Sequence, residues 1–239
     1  MNALDVLLDV QDHDTRIDQL EHRRRHLAER EELVGLRGRR AAVAAARGQV
    51  ATTLDEITER QRRAENEIEA AEKRVAEIDA RMRSGAVRAS RDLQAMQGEI
   101  DTIRERVSGL EDVVLEALEE REPLDAEVRQ HDEELEAVDS LIAEAEERLA
   151  SAEREVDAEL EGERSLRAAA AGRVADDLMA TYEGLRTRLG GIGAARLDGN
   201  RCAGCHLTLP ATELDRIRHA DRDELVFCDQ CGRILVRTG

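Results

Sequence analysis

The feature that most constrains the fold is a long apolar repeat with an average step of about 3.5 residues. In the first half of the chain, apolar residues recur alternately every four and three positions, with Gln61 as the one polar member. This first series consists of Val50, Leu54, Ile57, Gln61, Ala64, Ile68, Ala71, Val75, Ile78 and Met82. Such a heptad pattern is typical of a left-handed coiled coil, because it keeps one apolar stripe facing a partner helix.

A second series begins after Ser84 and Gly85 and holds its phase over nineteen positions, of which seventeen are apolar. Its two polar members are Arg121 and His131. The series consists of Leu93, Met96, Ile100, Ile103, Val107, Leu110, Val114, Ala117, Arg121, Leu124, Val128, His131, Leu135, Val138, Ile142, Ala145, Leu149, Ala152 and Val156. A run of this length predicts one long second helix.

A short break near Gly85 separates the two patterns. Because short connections favour antiparallel neighbours, we expect one helix over residues 4–83 to fold back against a second helix over residues 91–170. The tip of this hairpin is predicted near residues 84–90, and the whole hairpin is predicted to occupy residues 1–172.

One level of the hairpin is expected to be weak. Pro123 interrupts the second pattern, and antiparallel pairing places it opposite about residue 51, next to Gly48. A proline inside a helix removes one backbone hydrogen bond and clashes with the preceding turn. Two interpretations remain open: the hairpin bends at this level, or Pro123 starts a separate third helix.

All four cysteines fall in two Cys-x-x-Cys pairs near the C-terminal end. Cys202 and Cys205 form the first pair, and Cys228 and Cys231 form the second, with 22 residues between them. Each pair sets two thiolates on one side of a tetrahedral metal, so the pattern predicts one structural Zn²⁺ per chain. Four thiolates close the coordination shell, which argues against a catalytic metal and against His206 as a ligand. Iron in a rubredoxin-like site is the remaining alternative.

Residues 194–239 surround these cysteines and are predicted to form a small β-rich zinc ribbon. Apolar runs at residues 225–227 and 234–236 are strand candidates, and residues 212–219 suggest a short helix. A segment this short with one aromatic residue buries too little surface to fold unaided, so bound zinc is expected to stabilise it.

Residues 173–193 are expected to connect the hairpin and the ribbon. The segment begins as a helix and ends in Gly190-Gly191-Ile192-Gly193, a composition typical of a hinge or linker. The predicted fold class is therefore mainly α: a long antiparallel helical hairpin, or coiled coil, followed by a small β-rich zinc ribbon.

Charge is distributed unevenly along the chain. The net charge is -18, yet residues 194–239 contain seven arginines and seven acidic residues, so the preceding segment carries the whole excess. Such a body repels nucleic acid and anionic membranes except at local basic patches. No secretory signal or long apolar segment is apparent, so we expect a cytoplasmic protein without a membrane partner.

Several segments resemble one bacterial family, that of long helical hairpins ending in a four-cysteine zinc ribbon. They are Tyr182-Glu-Gly-Leu-Arg186, Gly190-Gly191, Arg201-Cys-Ala-Gly-Cys-His206, Glu213-Leu-Asp-Arg-Ile-Arg218, Glu224-Leu-Val-Phe-Cys228 and Cys231-Gly-Arg-Ile-Leu235. The segment Arg91-Asp-Leu-Gln-Ala-Met-Gln97 resembles the family's turn more loosely. The resemblance implies a non-enzymatic protein, since members are described as nucleic-acid binders or as partners of flagellar and secretion regulators.

The first functional hypothesis is a regulatory adaptor that binds a protein partner through the ribbon and the hairpin. Arg216, Arg218 and Arg222 are expected to point outward from the short ribbon helix, and arginine suits both protein interfaces and phosphate. No catalytic triad, phosphate-binding loop or open metal site is apparent, so neither an enzymatic activity nor a small-molecule substrate is expected.

The alternative hypothesis is RNA or DNA binding through arginines. The candidates are the ribbon arginines and four arginines at the hairpin tip, namely Arg81, Arg83, Arg88 and Arg91. Two observations count against it: acidic residues balance the ribbon arginines, and Phe227 is the one aromatic residue there that could stack on a base.

Overall fold

The computed structural model describes residues 3–221 and 224–237. The chain divides into two compact units. The terminal unit comprises Met1–Glu31 and Ala145–Gly239, and the central unit comprises Glu32–Glu144. The helices are α1 (Ala3–Arg25), α2 (Ala28–Arg83), α3 (Ser90–Ala171), α4 (Asp176–Arg188) and α5 (Ala211–His219). The strands are β1 (Ala194–Asp198), β2 (Arg201–Cys202), β3 (Val226–Phe227) and β4 (Ile234–Arg237).

Burial along α2 and α3 confirms both heptad patterns. All ten positions of the first series and all nineteen of the second are buried or half-buried. The best-buried members in the central unit include Ile57 and Ile78 of α2 and Ile100, Ala117 and Val138 of α3. The apolar stripe therefore drives the pairing of these helices, since isolated helical propensity contributes little compared with packing.

Ion pairs across the central unit show that α2 and α3 run antiparallel. Arg47 Nε lies 2.5 Å from Asp132 Oδ1, and Arg74 Nη2 lies 2.9 Å from Glu99 Oε1. Partner numbers thus fall along α3 as they rise along α2, as in a hairpin. These pairs are exposed, so they fix register and add little to stability.

Pro123 lies inside α3, which continues through it as one helix. The structure therefore contradicts the interpretation in which Pro123 starts a separate third helix. The facing helix is also uninterrupted at Gly48, which lies within α2. The lost backbone hydrogen bond is tolerated because the apolar stripe continues on both sides of the proline.

The first arm is not one helix, which corrects the expectation for residues 4–83. Helix α1 ends at Arg25 and α2 begins at Ala28. Leu27 turns inward at this break, where it packs with Ile17, Val156 and Leu160. The next buried leucine along the chain, Leu33, lies within α2, so apolar burial resumes directly after the break.

In the terminal unit, α1 pairs with the end of α3 and with the ribbon. A buried cluster joins Leu7 and Val10 of α1, Tyr182 of α4, and Ile234 and Val236 of β4. The ribbon strands therefore complete a core that the helices begin, and the two are not separated by a flexible connection.

The ribbon contains a four-stranded sheet in the order β2-β1-β4-β3. Strand β1 is parallel to β4, while β2 and β3 are antiparallel edge strands. The predicted apolar strands correspond to β3 and β4, and the predicted short helix corresponds to α5. Sequence patterns missed β1 and β2, because the segment Ala194–Asp198 shows no strand alternation.

None of the helices in residues 3–221 and 224–237 combines the length and the apolar character that crossing a bilayer requires.

Candidate metal centre

The four cysteine side chains lie close together in the ribbon. Their sulfur atoms all lie within 4.8 Å of one another. Cys202 Sγ lies 3.9 Å from Cys231 Sγ, and Cys205 Sγ lies 4.0 Å from Cys228 Sγ. A disulfide requires about 2.0 Å between sulfurs, so the four thiols are not paired as disulfides.

These distances fit a tetrahedral metal site. A zinc–sulfur bond of about 2.3 Å sets the sulfur–sulfur edge of a regular tetrahedron at about 3.8 Å. Cys202 and Cys228 are buried, and Cys205 and Cys231 are half-buried. The four sulfurs leave no room for water in the coordination shell, which suits a structural ion and offers no position for catalysis.

Local hydrogen bonds shape both cysteine turns. In the first turn, His206 N donates to Cys202 O at 2.8 Å, and His206 has a positive φ of 62°. In the second, Gly232 N donates to Cys228 O at 2.7 Å, with a φ of 73° at Gly232. The side chain of His206 is exposed, and the clustered group of possible ligands consists of the four cysteines.

The protein environment acts differently on the individual thiols. Burial raises the pKa of Cys202, and it raises the pKa of Cys228 to about 12. Burial would raise the pKa of Cys231 too, but hydrogen bonds from Arg233, together with those from the thiols of Cys228 and Cys205, outweigh it and bring that pKa to about 7. Arg233 therefore favours the thiolate form that a metal ligand requires.

Arg233 also attaches the metal-binding turns to the end of α4. Its Nε donates to Ile192 O at 3.0 Å and its Nη2 donates to Leu189 O at 3.0 Å. The close approach of Arg233 needs a glycine at position 204, since a Cβ there would lie 2.6 Å from Arg233 Cδ.

A buried glutamine holds the glycine-rich segment that the sequence suggests as a hinge. Gln11 Oε1 accepts a hydrogen bond from Gly193 N at 2.8 Å, and Gln11 Nε2 donates to Gly191 O at 3.0 Å. Gly193 O in turn accepts from Ile234 N of β4 at 3.0 Å. The segment is thus fixed between α1 and the ribbon sheet, and nothing in its contacts corresponds to a freely swinging hinge. Sequence patterns did not identify the role of Gln11, because a single polar residue on the apolar face of a helix belongs to no recognisable motif.

Most ribbon arginines are engaged in internal contacts. Arg237 Nη1 donates to the carbonyls of Ile217 at 2.8 Å and Ala220 at 2.7 Å, where it caps the end of α5. Arg201 Nη2 donates to His206 O at 3.0 Å, and Arg196 lies 3.6 Å from Asp12.

The three arginines predicted as a partner-binding face differ from one another. Arg216 forms a two-pronged ion pair with Glu213 on its own helix, so its charge is largely offset. The side chain of Arg218 is exposed and makes no hydrogen bond or ion pair with residues 3–221 or 224–237. Arg222 lies outside the described residues.

The tip arginines lie in the central unit, around the connection between α2 and α3. Arg83 contacts Asp79, with its Nη2 3.7 Å from Asp79 Oδ2. The exposed side chains of Arg81, Arg88 and Arg91 form no ion pair within the part of the chain that the structure describes. The structure therefore brings together the four predicted metal ligands, while the predicted arginines lie in two separate units.

Two apolar side chains beside the metal-binding turns are exposed. Leu207 follows the first cysteine pair and is 51% exposed, and Phe227 precedes the second pair and is 38% exposed. Along β3 the neighbouring Val226 is buried, so the strand presents Phe227 on its outer face. Phe227 is the single phenylalanine of the chain.

Comparison with known proteins identifies two family models in the chain. Residues 10–190 match the CT398-like coiled coil hairpin domain, and residues 201–235 match the C4-type zinc ribbon domain. This outcome confirms the resemblance that the ribbon segments indicate. Neither model describes an enzyme family.

Individual relatives cover nearly the whole chain. The uncharacterized proteins MT2288 and Rv2229c, from two strains of Mycobacterium tuberculosis, are each 32% identical over 231 residues, covering 97% of this chain and 94% of the relative. A solved structure from Mycobacterium smegmatis has a TM-score of 0.90 at 27% identity and covers 100% of both chains. CT398 from Chlamydia trachomatis has a TM-score of 0.73 at 18% identity, covering 99% of this chain and 98% of CT398, and it supports the fold alone.

Proposed function

The chain belongs to the CT398-like coiled-coil hairpin family and carries a C4-type zinc ribbon, and from this premise we propose that it is a non-enzymatic adaptor. In this proposal the ribbon binds one structural Zn²⁺ through Cys202, Cys205, Cys228 and Cys231. The metal orders a small surface, and that surface contacts a regulatory protein partner in the cytoplasm.

The observation that carries the proposal is the exposure of Leu207 and Phe227 beside the metal-binding turns. An aromatic side chain at the surface is a typical anchor of a protein interface, because it buries a large area at a small entropic cost. The chain has one phenylalanine and one tyrosine, and the tyrosine, Tyr182, is fully buried. Phe227 is therefore the aromatic anchor available to a partner.

Arg218 adds a cation to this ribbon surface in the proposal. It is exposed, and its charge is not offset by an acidic neighbour in the described ranges. Arg216 contributes less, because Glu213 already binds its guanidinium. Arg222 belongs to the proposed face on sequence grounds alone.

Nucleic-acid binding remains the second candidate, and the tip favours it more than the ribbon does. Arg81, Arg88 and Arg91 are exposed without ion pairs among the described residues, and Arg83 retains a long contact to Asp79. Four arginines within a short segment could contact phosphates. In the ribbon, by contrast, Arg201, Arg233 and Arg237 donate to backbone carbonyls, which leaves fewer cations for phosphate.

The test compares two sets of substitutions in the full chain. Leu207→Ser with Phe227→Ser removes the apolar anchors, and Leu166→Ser alters an exposed leucine of α3 as the matched control. Each protein is immobilised in native lysate treated with nuclease, and bound proteins are quantified by mass spectrometry. We expect the ribbon variant to capture about tenfold less of the partner than the parent does, while its zinc content stays at that of the parent.

A second arm addresses nucleic acid directly. Arg81, Arg88 and Arg91 are changed to Glu, and binding to single-stranded RNA and to duplex DNA is measured between low and physiological salt. If the protein is an adaptor, it should bind both nucleic acids weakly. The variant with the three arginine substitutions should then still capture the protein partner. Tight, salt-dependent binding that disappears on these substitutions would instead establish the second candidate.

A further inference from the structure

The central unit has a groove whose chemistry differs from that of the ribbon. The groove has a volume of about 520 Å³ and lies between α2 and α3. Its lining combines carboxylates with apolar side chains, namely Glu65, Ile68, Glu69, Glu72, Glu111, Val114 and Leu115. We refer to it as the acidic groove.

The floor of the acidic groove is apolar. Ile68 and Val114 are half-buried members of the heptad stripe, but Leu115 lies outside it and is 58% exposed. One turn further along α3, Leu118 is 46% exposed. Two leucines spaced three residues apart extend the apolar stripe onto the helix surface, where hairpin pairing does not need them.

The rim of the acidic groove carries negative charge that the protein leaves partly unpaired. Glu65 accepts a hydrogen bond from Gln61 at 2.7 Å, and Glu69 pairs with Lys73 at 2.5 Å. Glu72 and Glu111 make no hydrogen bond or ion pair with residues in the described ranges. Lys73, the single lysine of the chain, offsets the charge of Glu69.

Nearby arginines do not neutralise the rim either. Arg74 pairs with Glu99 at 2.9 Å, and Arg106 pairs with Glu67 at 2.7 Å. Both arginines are therefore engaged by acidic residues outside the groove lining. The groove lining thus places four carboxylates around an apolar floor, and Lys73, which pairs with Glu69, is not part of that lining.

We propose that the acidic groove binds a basic amphipathic helix of a protein partner. An amphipathic helix lays leucine-like side chains into an apolar groove, and flanking lysines or arginines meet the carboxylates of the rim. This inference rests on the proposed adaptor function, since its occupant is a protein, and it adds the chemical class of that occupant.

Charge decides against the other occupants. A second copy of this chain, with a net charge of -18, would bring a strongly acidic surface against four carboxylates. Nucleic acid would meet the same repulsion. A basic helix is instead attracted by the carboxylates of the rim, and this attraction weakens as the salt concentration rises.

The probe is a synthetic peptide that forms an amphipathic helix, with leucines at helical spacing and lysines on the flanking positions. Its binding to the full-length protein is followed by fluorescence anisotropy. The groove variant combines Leu115→Ser, Glu72→Lys and Glu111→Lys. The control variant combines Leu141→Ser, Glu133→Lys and Glu136→Lys, exposed residues of α3 that change the net charge equally.

We expect the groove variant to lose at least about tenfold in affinity and the control to change by less than about threefold. A peptide with serines in place of the leucines should bind weakly to the unmodified protein. Thermal unfolding by circular dichroism verifies that both variants retain their helices. The proposal is supported if the parent protein binds the leucine peptide and if this binding weakens with salt, as expected for an ion-paired contact.

Three results would overturn the inference. Equal losses in groove and control variants would indicate general attraction to an acidic protein. Equal binding of a peptide with glutamates in place of lysines would remove the role of the rim. Self-association abolished by Leu115→Ser would assign the groove to a second copy. If any of these occurs while Leu207→Ser with Phe227→Ser still abolishes partner capture, the groove inference fails and the proposed adaptor function stands.

Discussion

Tyr182 donates a hydrogen bond of 2.8 Å from its phenolic oxygen to Asp14 Oδ2, and this bond joins α4 to α1 in the core of the terminal unit. The Asp14 side chain is 5% exposed and also accepts from Arg167 Nε at 3.2 Å. Arg186 Nε lies 3.7 Å from the same carboxylate, an ion pair too long for a hydrogen bond. Burial, with Asp14 as the second cause, holds the pKa of Tyr182 well above its usual value, so the phenol remains a donor.

Substitutions at these two residues should have unequal effects. Asp14→Ala leaves two guanidinium groups without their shared buried partner and should cost about 3 kcal/mol of unfolding free energy. The estimate is at the lower end of the usual range, because Arg167 retains Glu183 and Arg186 retains Asp18. Tyr182→Phe should cost about 1 kcal/mol, since it removes one hydrogen bond. Urea unfolding measures both, and equal effects would contradict a central role for Asp14.

This network illustrates which parts of the fold sequence patterns can predict. Periodicity predicts the paired helices because every heptad position contributes to the same stripe, and cysteine spacing predicts the metal-binding turns because both turns are local. Asp14 and Gln11 have no such signal: each lies at an ordinary helical position and becomes important through partners about 150 to 180 residues away. Their roles depend on which elements meet, and that information is not local.

Removal of the metal should affect the ribbon and the helices differently. Metal analysis should find one zinc per chain, and chelation should unfold the ribbon while most of the helical circular dichroism signal remains, since the helices pair along their own apolar stripes. Cys202→Ser should lower the zinc content or affinity sharply. An unchanged content of one zinc in that variant would contradict the four-thiolate assignment.

Two of the three polar positions in the heptad stripe, Gln61 and Arg121, contact each other. Arg121 Nη1 donates to Gln61 Oε1 at 2.9 Å, while Arg121 Nε is buried without a partner among the described residues. Replacing both residues with leucine should therefore stabilise the protein by about 1–2 kcal/mol, since apolar packing replaces an incompletely satisfied polar pair. Gln61→Leu alone should destabilise it, because Arg121 loses a hydrogen-bond acceptor. Chemical denaturation of the two variants tests this, and a stabilising single substitution would show that the contact is unimportant.

The exposed ion pairs should contribute stability with a defined pH dependence. Hydrogen bonds from Arg47, Arg40 and Arg24 lower the pKa of Asp132, Asp139 and Asp157, respectively. A lowered folded-state pKa gives stability that is fully present above the unfolded value, about 3.9, and is lost as pH falls through the folded value.

Replacing these three aspartates with asparagine should thus lower the melting temperature near neutral pH. The difference from the parent protein should shrink below about pH 4, where the parent loses the same charges. Calorimetry at several pH values measures it. A difference that persists unchanged at the lowest pH would show that the ion pairs are not its cause.

The fixed attachment of the ribbon should depend on one glycine. A Cβ on Gly193 would lie 2.7 Å from Tyr182 O and 3.0 Å from Arg186 N, both backbone atoms of α4 that cannot move aside independently. Gly193→Ala should therefore destabilise the terminal unit by about 1–3 kcal/mol through overpacking. Zinc content should stay at one per chain, because the atoms that the added Cβ would meet belong to Tyr182 and Arg186 and not to a cysteine.

Gly184 of α4 provides the matched control. A Cβ there would meet nothing within 4 Å, so Gly184→Ala should stabilise the helix by about 1 kcal/mol. Hydrogen exchange of the β4 amides reports attachment directly, since Ile234 N donates to Gly193 O. We expect faster exchange of the β4 amides in Gly193→Ala but not in Gly184→Ala. The reason is that the ribbon sheet is hydrogen-bonded to the helices through Gly193. Unchanged exchange in both variants would mean that the segment behaves as the flexible linker its glycines suggest.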